Sequence, residues 1–297
     1  VLVAVHQLAG MLRRVGRYTE AEALGRRTLG HLRRAIREQP GGLPQRRPPA
    51  QDRADDTPPG GISSEPSVLT TIKGAVAVRG VRPIELIRAE DSLAGTLMAL
   101  GRFGEARELF EGAAARATVE LGGENVPRTL AIRSNLAVVI GLQGHYAQSL
   151  ALHHQILEAR VDLLGGKHVL TLSSAMRMAR MLRLLGRYRE ALTEQEHNSR
   201  LFGQVLDRQH TDTLAAEHNL AMCARRAGDS QFAQAMLRSV REKLLARYGA
   251  LHPETLMVSC DYAMVLRHLG RTTQARDIAE TTADGYAELL GHGHPYT

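Results

Sequence analysis

The sequence predicts an all-α protein made of antiparallel helix pairs that stack one after another. Three observations lead to this fold class. A glycine recurs every 42 or 43 residues, at Gly101, Gly144, Gly186, Gly228 and Gly270. Small residues stand at fixed distances before and after each of these glycines. Finally, aromatic residues make up only 4% of the chain and strand-like runs are few, which favours helices. Repetition at such a period indicates a repeat architecture.

The first helix of each unit is predicted to end just before the glycine. An alanine stands seven residues before the glycine in all five copies. Apolar residues stand eight and four residues before it in nearly every copy, so one helical face is apolar. The residues are Leu93, Leu136, Met178, Leu220 and Tyr262, then Ala94, Ala137, Ala179, Ala221 and Ala263, then Leu97, Ile140, Leu182, Ala224 and Leu266.

The second helix of each unit follows the glycine. Phe103, Tyr146, Tyr188, Ser230 and Thr272 stand two residues after it, and Ala106, Ser149, Ala191, Ala233 and Ala275 stand five after it. The small residue lets the second helix pack closely on the first. Glycine between them adopts the turn conformation without side-chain strain, so an αα-hairpin is the expected unit. Gly16 marks a sixth copy.

Three regions are expected along the chain. Residues 1–38 form one separate N-terminal repeat. Residues 39–66 hold seven of the eleven prolines and read as a flexible insertion. Residues 67–297 form an array of about five units, although 67–82 fit either a short helix or an extended piece. Val1 starts inside a helix without an initiator Met, and Thr297 stops where another helix should start. We therefore expect the chain to be part of a longer protein whose last unit is truncated here.

The composition indicates the cellular compartment and the type of source organism. The two cysteines, Cys223 and Cys260, fall in repeat helices, which predicts small buried thiols rather than disulfides and hence a reducing cytosol. No apolar run is long enough to cross a bilayer, and the first residues lack the features of a signal peptide. A cytoplasmic location is predicted. The net charge of +7 comes almost entirely from arginine, which is typical of a GC-rich bacterial genome.

The spacing of Leu-Ala, apolar residue, Gly, aromatic residue and Ala resembles the tetratricopeptide repeat. The longer period and the inter-repeat loops resemble the kinesin-light-chain type, whose loops read L-G-x-x-H-P-x-T-L. Here the loops read LGGENVPRTL, LLGGKHVLTL, VLDRQHTDTL, YGALHPETL and LLGHGHPYT. Val126 replaces the histidine in the first loop, and Thr211 replaces the proline in the third. The resemblance covers residues 84–297 and, as one unit, 1–38. It implies a right-handed superhelical solenoid.

In this family, residues ten, nine, six, three and two before the glycine face the concave groove. That register gives a basic groove that contains methionines. Arginine can bind a carboxylate with two hydrogen bonds, and methionine adapts to varied apolar shapes. The resemblance thus implies a non-catalytic scaffold that binds an acidic peptide or a free C-terminal carboxylate, without a cofactor. The groove residues are Asn135, Met176, Arg180, Arg183, His218, Asn219, Met222, Arg225, Arg226, Met264, Arg267 and His268.

Other interpretations stay open. Arg225 and Arg226 can equally stabilise a helix C-terminus. In bacteria, similar arrays occur in FxSxx-COOH peptide systems and beside NB-ARC or STAND ATPase domains, so the chain could be the sensor or autoinhibitory arm of such a regulator. Nucleic-acid binding is a weaker alternative because few aromatic residues accompany the basic cluster. That cluster comprises Arg26, Arg27, Arg33, Arg34, Arg37, Arg46 and Arg47.

The loop histidines His168, His210, His252 and His294 recur every 42 residues. Successive copies lie in different repeats, so we expect no metal, including at the pair His292 and His294. A structural role is expected instead. His252 is placed to cap a helix whose first residue is Pro253. No catalytic motif is present, and we expect no enzymatic activity.

Overall fold

The computed structural model describes residues 2–14, 16–38 and 81–290, and these contain twelve α-helices and no strand. The all-α prediction is confirmed. The insertion at 39–66 and residues 67–80 lie outside the described residues. The helices are α1 (Leu2–Arg14), α2 (Tyr18–Glu38), α3 (Pro83–Ala99), α4 (Phe103–Glu120), α5 (Pro127–Leu142), α6 (Tyr146–Leu164), α7 (Val169–Leu184), α8 (Tyr188–Val205), α9 (Thr211–Ala227), α10 (Ser230–Tyr248), α11 (Pro253–His268) and α12 (Thr272–Leu290).

Each helix pair turns at a predicted glycine. The backbone φ of all six glycines is positive, between +75° and +105°, at Gly16, Gly101, Gly144, Gly186, Gly228 and Gly270. At Gly228 the glycine N–H donates to the carbonyl of Arg225, and the Asp229 N–H donates to the carbonyl of Ala224. These bonds satisfy carbonyls at the end of the helix. Residues with a side chain adopt this conformation only with strain.

The small residues predicted at the contact between the two helices are buried. Ala94, Ala137, Ala179, Ala221 and Ala263 on the first helices are at most 6% exposed. Their counterparts on the second helices, Ala106, Ser149, Ala191, Ala233 and Ala275, are at most 5% exposed. The αα-hairpin read from the spacing is therefore confirmed for the pairs α1–α2, α3–α4, α7–α8, α9–α10 and α11–α12, whose helices contact each other.

Loop histidines cap the helices that follow them. The Nδ1 atoms of His168, His210 and His252 each accept a hydrogen bond from the backbone N–H two residues later, at distances of 3.1 to 3.3 Å. Each bond satisfies an N–H that the helix itself leaves unpaired. The capping role predicted for His252 is confirmed, whereas His292 and His294 lie outside the described residues.

The chain divides into two compact units, residues 1–139 and 140–297. In the first unit, Leu29 and Leu32 of α2 share a core with Leu93 of α3 and Phe110 of α4. The N-terminal repeat therefore packs directly on α3. In the second unit, the largest core joins α9, α10, α11 and α12 around Leu214, Leu237, Val240 and Leu266.

Candidate functional site

Four arginines lie close together at the ends of α7 and α9 in the second unit. Arg180 and Arg183 are on α7, and Arg225 and Arg226 are in the last turn of α9. The charges of Arg180 and Arg226 both act on Arg183, and the charge of Arg226 acts on Arg225. We call these four residues the arginine surface.

Two members of the arginine surface are partly desolvated. Burial lowers the pKa of Arg183, and the neighbouring Arg180 and Arg226 lower it further, whereas Cys223 and Asp261 raise it. Burial and Arg226 likewise lower the pKa of Arg225. A guanidinium stays protonated in proteins, so these shifts report the unfavourable energy of positive charges held together away from water.

Intramolecular partners do not neutralise the arginine surface. Among the described residues, its four guanidinium groups take part in no hydrogen bond or ion pair, and the Nε of Arg225 is buried without a partner. Arg180 and Arg226 are exposed, and Arg183 and Arg225 are half-buried. The N–H donors of the exposed Arg180 and Arg226 are therefore available to a ligand.

One carboxylate lies beside the arginine surface. Asp261 of α11 accepts a hydrogen bond from Nε2 of His218 on α9, at 2.7 Å, and both side chains are largely buried. Its negative charge acts on Arg183 and on Arg225. The predicted groove residue His218 is therefore engaged with a partner of the next repeat.

The other predicted groove residues of α7, α9 and α11 include side chains that are exposed to solvent and side chains that contact the rest of the chain. Met264 is 38% exposed, and Arg267 and His268 are also exposed. Met176 is half-buried against the small core around Phe202. Nδ2 of Asn219 donates to the carbonyl of Ala215, one turn earlier on its own helix, at 2.8 Å.

Met222 does not line an open surface. It is 7% exposed and packs in the same core cluster as Tyr262 and Val265 of α11. Residues of the next repeat cover this side chain. Counting positions along a single helix takes no account of such contacts, and Met222 was therefore predicted to face the groove.

Asn135 belongs to the first unit. Its Nδ2 donates to Oδ1 of Asp91 at 3.2 Å, and Arg128 forms an ion pair with the same carboxylate. The side chains of both predicted asparagines, Asn135 and Asn219, thus donate to groups of the chain itself.

Sequence reasoning omitted two residues that the same register provides. Arg177 and Asp261 each stand nine residues before a turn glycine, as Asn135 and Asn219 do. Burial lowers the pKa of Arg177, and Arg180 adds to the effect. Counting this position in every repeat would have found both residues.

The basic cluster of α2 is partly neutralised within the chain. Arg26 forms ion pairs with Glu22 and Glu105, both at 2.7 Å, and Arg33 forms one with the buried carboxylate of Glu90 at 3.2 Å. Arg46 and Arg47 lie outside the described residues. Fewer guanidinium groups are therefore free for phosphates than the sequence suggested.

The cysteines are both free thiols. Cys223 is buried as expected, but Cys260 is exposed, which corrects the expectation of two buried thiols. Cys260 lies off the apolar face of α11. Within residues 2–14, 16–38 and 81–290, no three or more His, Cys, Asp or Glu side chains group as metal ligands would. No helix in these ranges combines the length and apolarity needed to cross a membrane.

Stacked antiparallel helix pairs with glycine turns define the chain as a helical-repeat protein. Tetratricopeptide repeat profiles match residues 85–160, 128–193 and 170–246, and a second profile of the same description matches 1–34 and 262–296. These matches span more than half of the chain, which therefore belongs to the tetratricopeptide repeat family.

Three known proteins illustrate what the chain is similar to. Kinesin light chain repeats from Podosopora anserina are 25% identical, with a TM-score of 0.54, over 70% of this chain and 97% of that one. NprR in complex with its cognate peptide NprX is 14% identical, with a TM-score of 0.56, over 75% of this chain and 64% of that one. The human clustered mitochondria protein homolog is 25% identical over 124 residues, 42% of this chain. The chain spans about a tenth of the length of that curated relative.

Proposed function

We propose that this chain is a non-catalytic scaffold that binds a carboxylate-bearing peptide or protein segment on the arginine surface. The observation that carries the proposal is the group of four neighbouring guanidinium groups, beside which lies the carboxylate of Asp261. Like charges held close together repel each other, most strongly where water is excluded. An anionic ligand relieves that repulsion and supplies acceptors for N–H donors that have none.

The surroundings of the arginine surface favour a ligand with apolar side chains as well. Leu184 at the end of α7 is 37% exposed, and Met264 on α11 is 38% exposed. Methionine adapts to varied apolar shapes, and arginine binds carboxylates in a bidentate manner. The ligand class is therefore a segment with acidic side chains, or a free C-terminal carboxylate, next to hydrophobic residues.

The reactive groups near the arginine surface do not form a catalytic set. Burial raises the pKa of Cys223 to about 11, with Arg183 acting in the opposite direction, so the thiol stays protonated and is a poor nucleophile. His218 is hydrogen-bonded to Asp261. Arginine does not act as a general base because it does not deprotonate. These properties support binding without chemistry.

The fold is compatible with peptide recognition, since the solved structure of NprR, of the same fold, contains a bound peptide. We further infer a cytoplasmic location in a bacterium. The two free cysteines are typical of a reducing compartment, and the predominance of arginine over lysine supports the bacterial source.

Charge reversal tests the proposal. The pair Arg180→Glu, Arg226→Glu changes two exposed members of the arginine surface. The control Arg189→Glu, Arg200→Glu makes the same change in charge at exposed positions of α8. Binding of a fluorescein-labelled peptide of alternating Glu and Leu, and of its Gln counterpart, would be followed by fluorescence anisotropy.

We expect the wild type to prefer the Glu peptide and to lose affinity as salt increases. The surface variant should bind it at least tenfold more weakly, because hydrogen bonds to charged groups contribute about 1.5–3 kcal/mol each. The control should stay close to the wild type. Equal loss in both variants, or equal binding of the Glu and Gln peptides, would show that the arginine surface is not the binding site.

A further inference from the structure

A cavity of about 550 Å³ lies in the first unit, lined by residues of α1, α3 and α5 together with Phe110 of α4. It forms where two helices lack a side chain. Gly95 lines the cavity and Gly10 lines an adjoining pocket, and each stands six residues before a turn glycine. The same position in later repeats carries Val138, Arg180, Met222 and Met264. The space that a side chain would take at Gly95 is instead used by the guanidinium of Arg13.

Cationic groups dominate the cavity wall. The guanidinium groups of Arg13, Arg88 and Arg128 all line it. His6 also lines it, but burial and the charges of Arg88 and Arg128 lower the pKa of its imidazole, which is therefore not one of these cations. The guanidinium of Arg13 lies over Gly95, where an added Cβ would overlap its Nη1 atom. Glycine at this position thus allows the Arg13 side chain to reach across from α1 to the surface of α3.

Only part of this positive charge is compensated. Asp91 receives hydrogen bonds from Arg128 and from Asn135, both at 3.2 Å, so its charge is shared with Arg128. The side chains of Arg13 and Arg88 form no hydrogen bond or ion pair with any residue in the described ranges. Two guanidinium groups therefore line the cavity without an acidic partner.

Two polar atoms of the wall are also unsatisfied. Nε2 of His6 and Nε of Arg128 are buried and have no hydrogen-bond partner among the described residues. Buried polar atoms are nearly always paired in folded proteins. The Nε–H of Arg128 is thus a donor without an acceptor, whereas Nε2 of the neutral His6 donates or accepts according to its tautomer.

We propose that this cavity binds a small organic monocarboxylate, either a free acid or the C-terminal residue of a peptide. The carboxylate lies between Arg13 and Arg88, whose planar guanidinium groups match its geometry. The apolar part of the ligand packs on Met98, which also lines the cavity. A single negative charge is favoured because Asp91 would repel a second one. The volume is within the range usual for small-molecule sites.

Isothermal titration calorimetry with N-acetyl-leucine and its amide tests the proposal. The wild type should bind the acid and not the amide. Arg88→Gln removes one guanidinium without breaking a bond between described residues, and it should weaken binding about tenfold or more. The control Arg200→Gln removes the same charge from an exposed site on α8 in the other unit and should have no effect.

Gly95→Ala provides a second test that keeps every charge. Alanine favours a helix over glycine, so thermal stability followed by circular dichroism should be maintained or raised. The new methyl group displaces the Arg13 guanidinium and fills part of the cavity, so the acid should bind several-fold more weakly. A stable Gly95→Ala variant that binds like the wild type would overturn the site.

Further titrations identify the source of the carboxylate and distinguish this site from the arginine surface. A pentapeptide ending in a free leucine carboxylate that binds tighter than N-acetyl-leucine supports a peptide terminus, and weaker or equal binding supports a free acid. The Arg180→Glu, Arg226→Glu variant should bind the acid as the wild type does. The proposal is overturned if no carboxylate binds, if acid and amide bind alike, if Arg88→Gln matches Arg200→Gln, or if inorganic phosphate binds tighter than the acid.

Discussion

Nε2 of His218 donates a hydrogen bond to Oδ2 of Asp261 at 2.7 Å, which connects α9 to α11 between successive repeats. The same carboxylate acts electrostatically on Arg183 and on Arg225. Asp261 therefore contributes to the contact between repeats and reduces the positive potential of the arginine surface at once. Stability and ligand affinity should respond to this residue in opposite directions.

Replacing Asp261 by Asn separates its charge from its shape. The variant keeps an acceptor near His218 but removes the negative charge that faces Arg183 and Arg225. We expect a loss of about 1 kcal/mol in the free energy of unfolding in urea, and several-fold tighter binding of the alternating Glu-Leu peptide. Asp284→Asn, at an exposed position of α12, is the control and should change neither quantity. Weaker peptide binding by Asp261→Asn would mean that Asp261 itself contacts the ligand.

The His252 cap can be tested apart from the ring contact that accompanies it. Its imidazole accepts from the Glu254 N–H at 3.3 Å and stacks on Tyr248 with ring centroids 4.6 Å apart. His252→Ala removes both contacts and should destabilise the fold by about 1–2 kcal/mol. His252→Asn keeps a capping oxygen and should recover part of that loss in urea unfolding. Equal destabilisation by Ala and Asn would assign the whole effect to the stacking on Tyr248.

The fold could be predicted because its signals are local and repeated. Gly228 and its counterparts mark each turn, Ala221 and its counterparts mark each close contact, and His252 lies directly before the helix that it caps. Each of these signals depends on residues within one helix pair or one loop. Because the same pattern recurs in successive copies, the fold class could be predicted from the sequence.

The exposure of the candidate site residues could not be read in the same way. Met222 and Met264 occupy equivalent positions, yet they are 7% and 38% exposed. Met222 packs with Tyr262 of the next repeat, whereas α11 has no equivalent helix after it in the described part of the chain. The same difference separates buried His218 from exposed Cys260. Contacts between repeats depend on side chains some 43 residues away, which the register within one helix does not include.

Gly228 should be sensitive to substitution for conformational reasons alone. Its φ is +105°, and a Cβ added there would meet no atom within 4 Å. Gly228→Ala should therefore cost about 1 kcal/mol of stability through backbone strain without a steric clash. Gly203→Ala, at an exposed helical position that is equally open, should be neutral or slightly stabilising. Thermal melts of the two variants that shift in the same direction would contradict this reading of the turn.

The buried imidazole of His153 predicts a specific dependence of stability on pH. It is 0% exposed, and neither ring nitrogen has a hydrogen-bond partner within the described ranges. Burial, with added repulsion from Arg177, Arg160 and Arg180, lowers the pKa of His153 from 6.5 to about 4. Above pH 6.5 the imidazole is neutral in both the folded and the unfolded chain, so it makes no pH-dependent contribution.

As the pH falls from 6.5 towards 4, the unfolded chain binds a proton at His153 that the folded chain does not bind. Stability is therefore lost over this window, by about 3 kcal/mol in total. His153→Leu should abolish that part of the loss, whereas His154→Leu, at the exposed neighbouring position, should keep the wild-type slope. Urea unfolding at half-unit pH steps measures the free energy of unfolding of the two variants. Both variants carry the same carboxylates, so the contribution of the carboxylates cancels in the difference. Parallel stability curves for the two variants would show that His153 takes up its proton equally in the folded state.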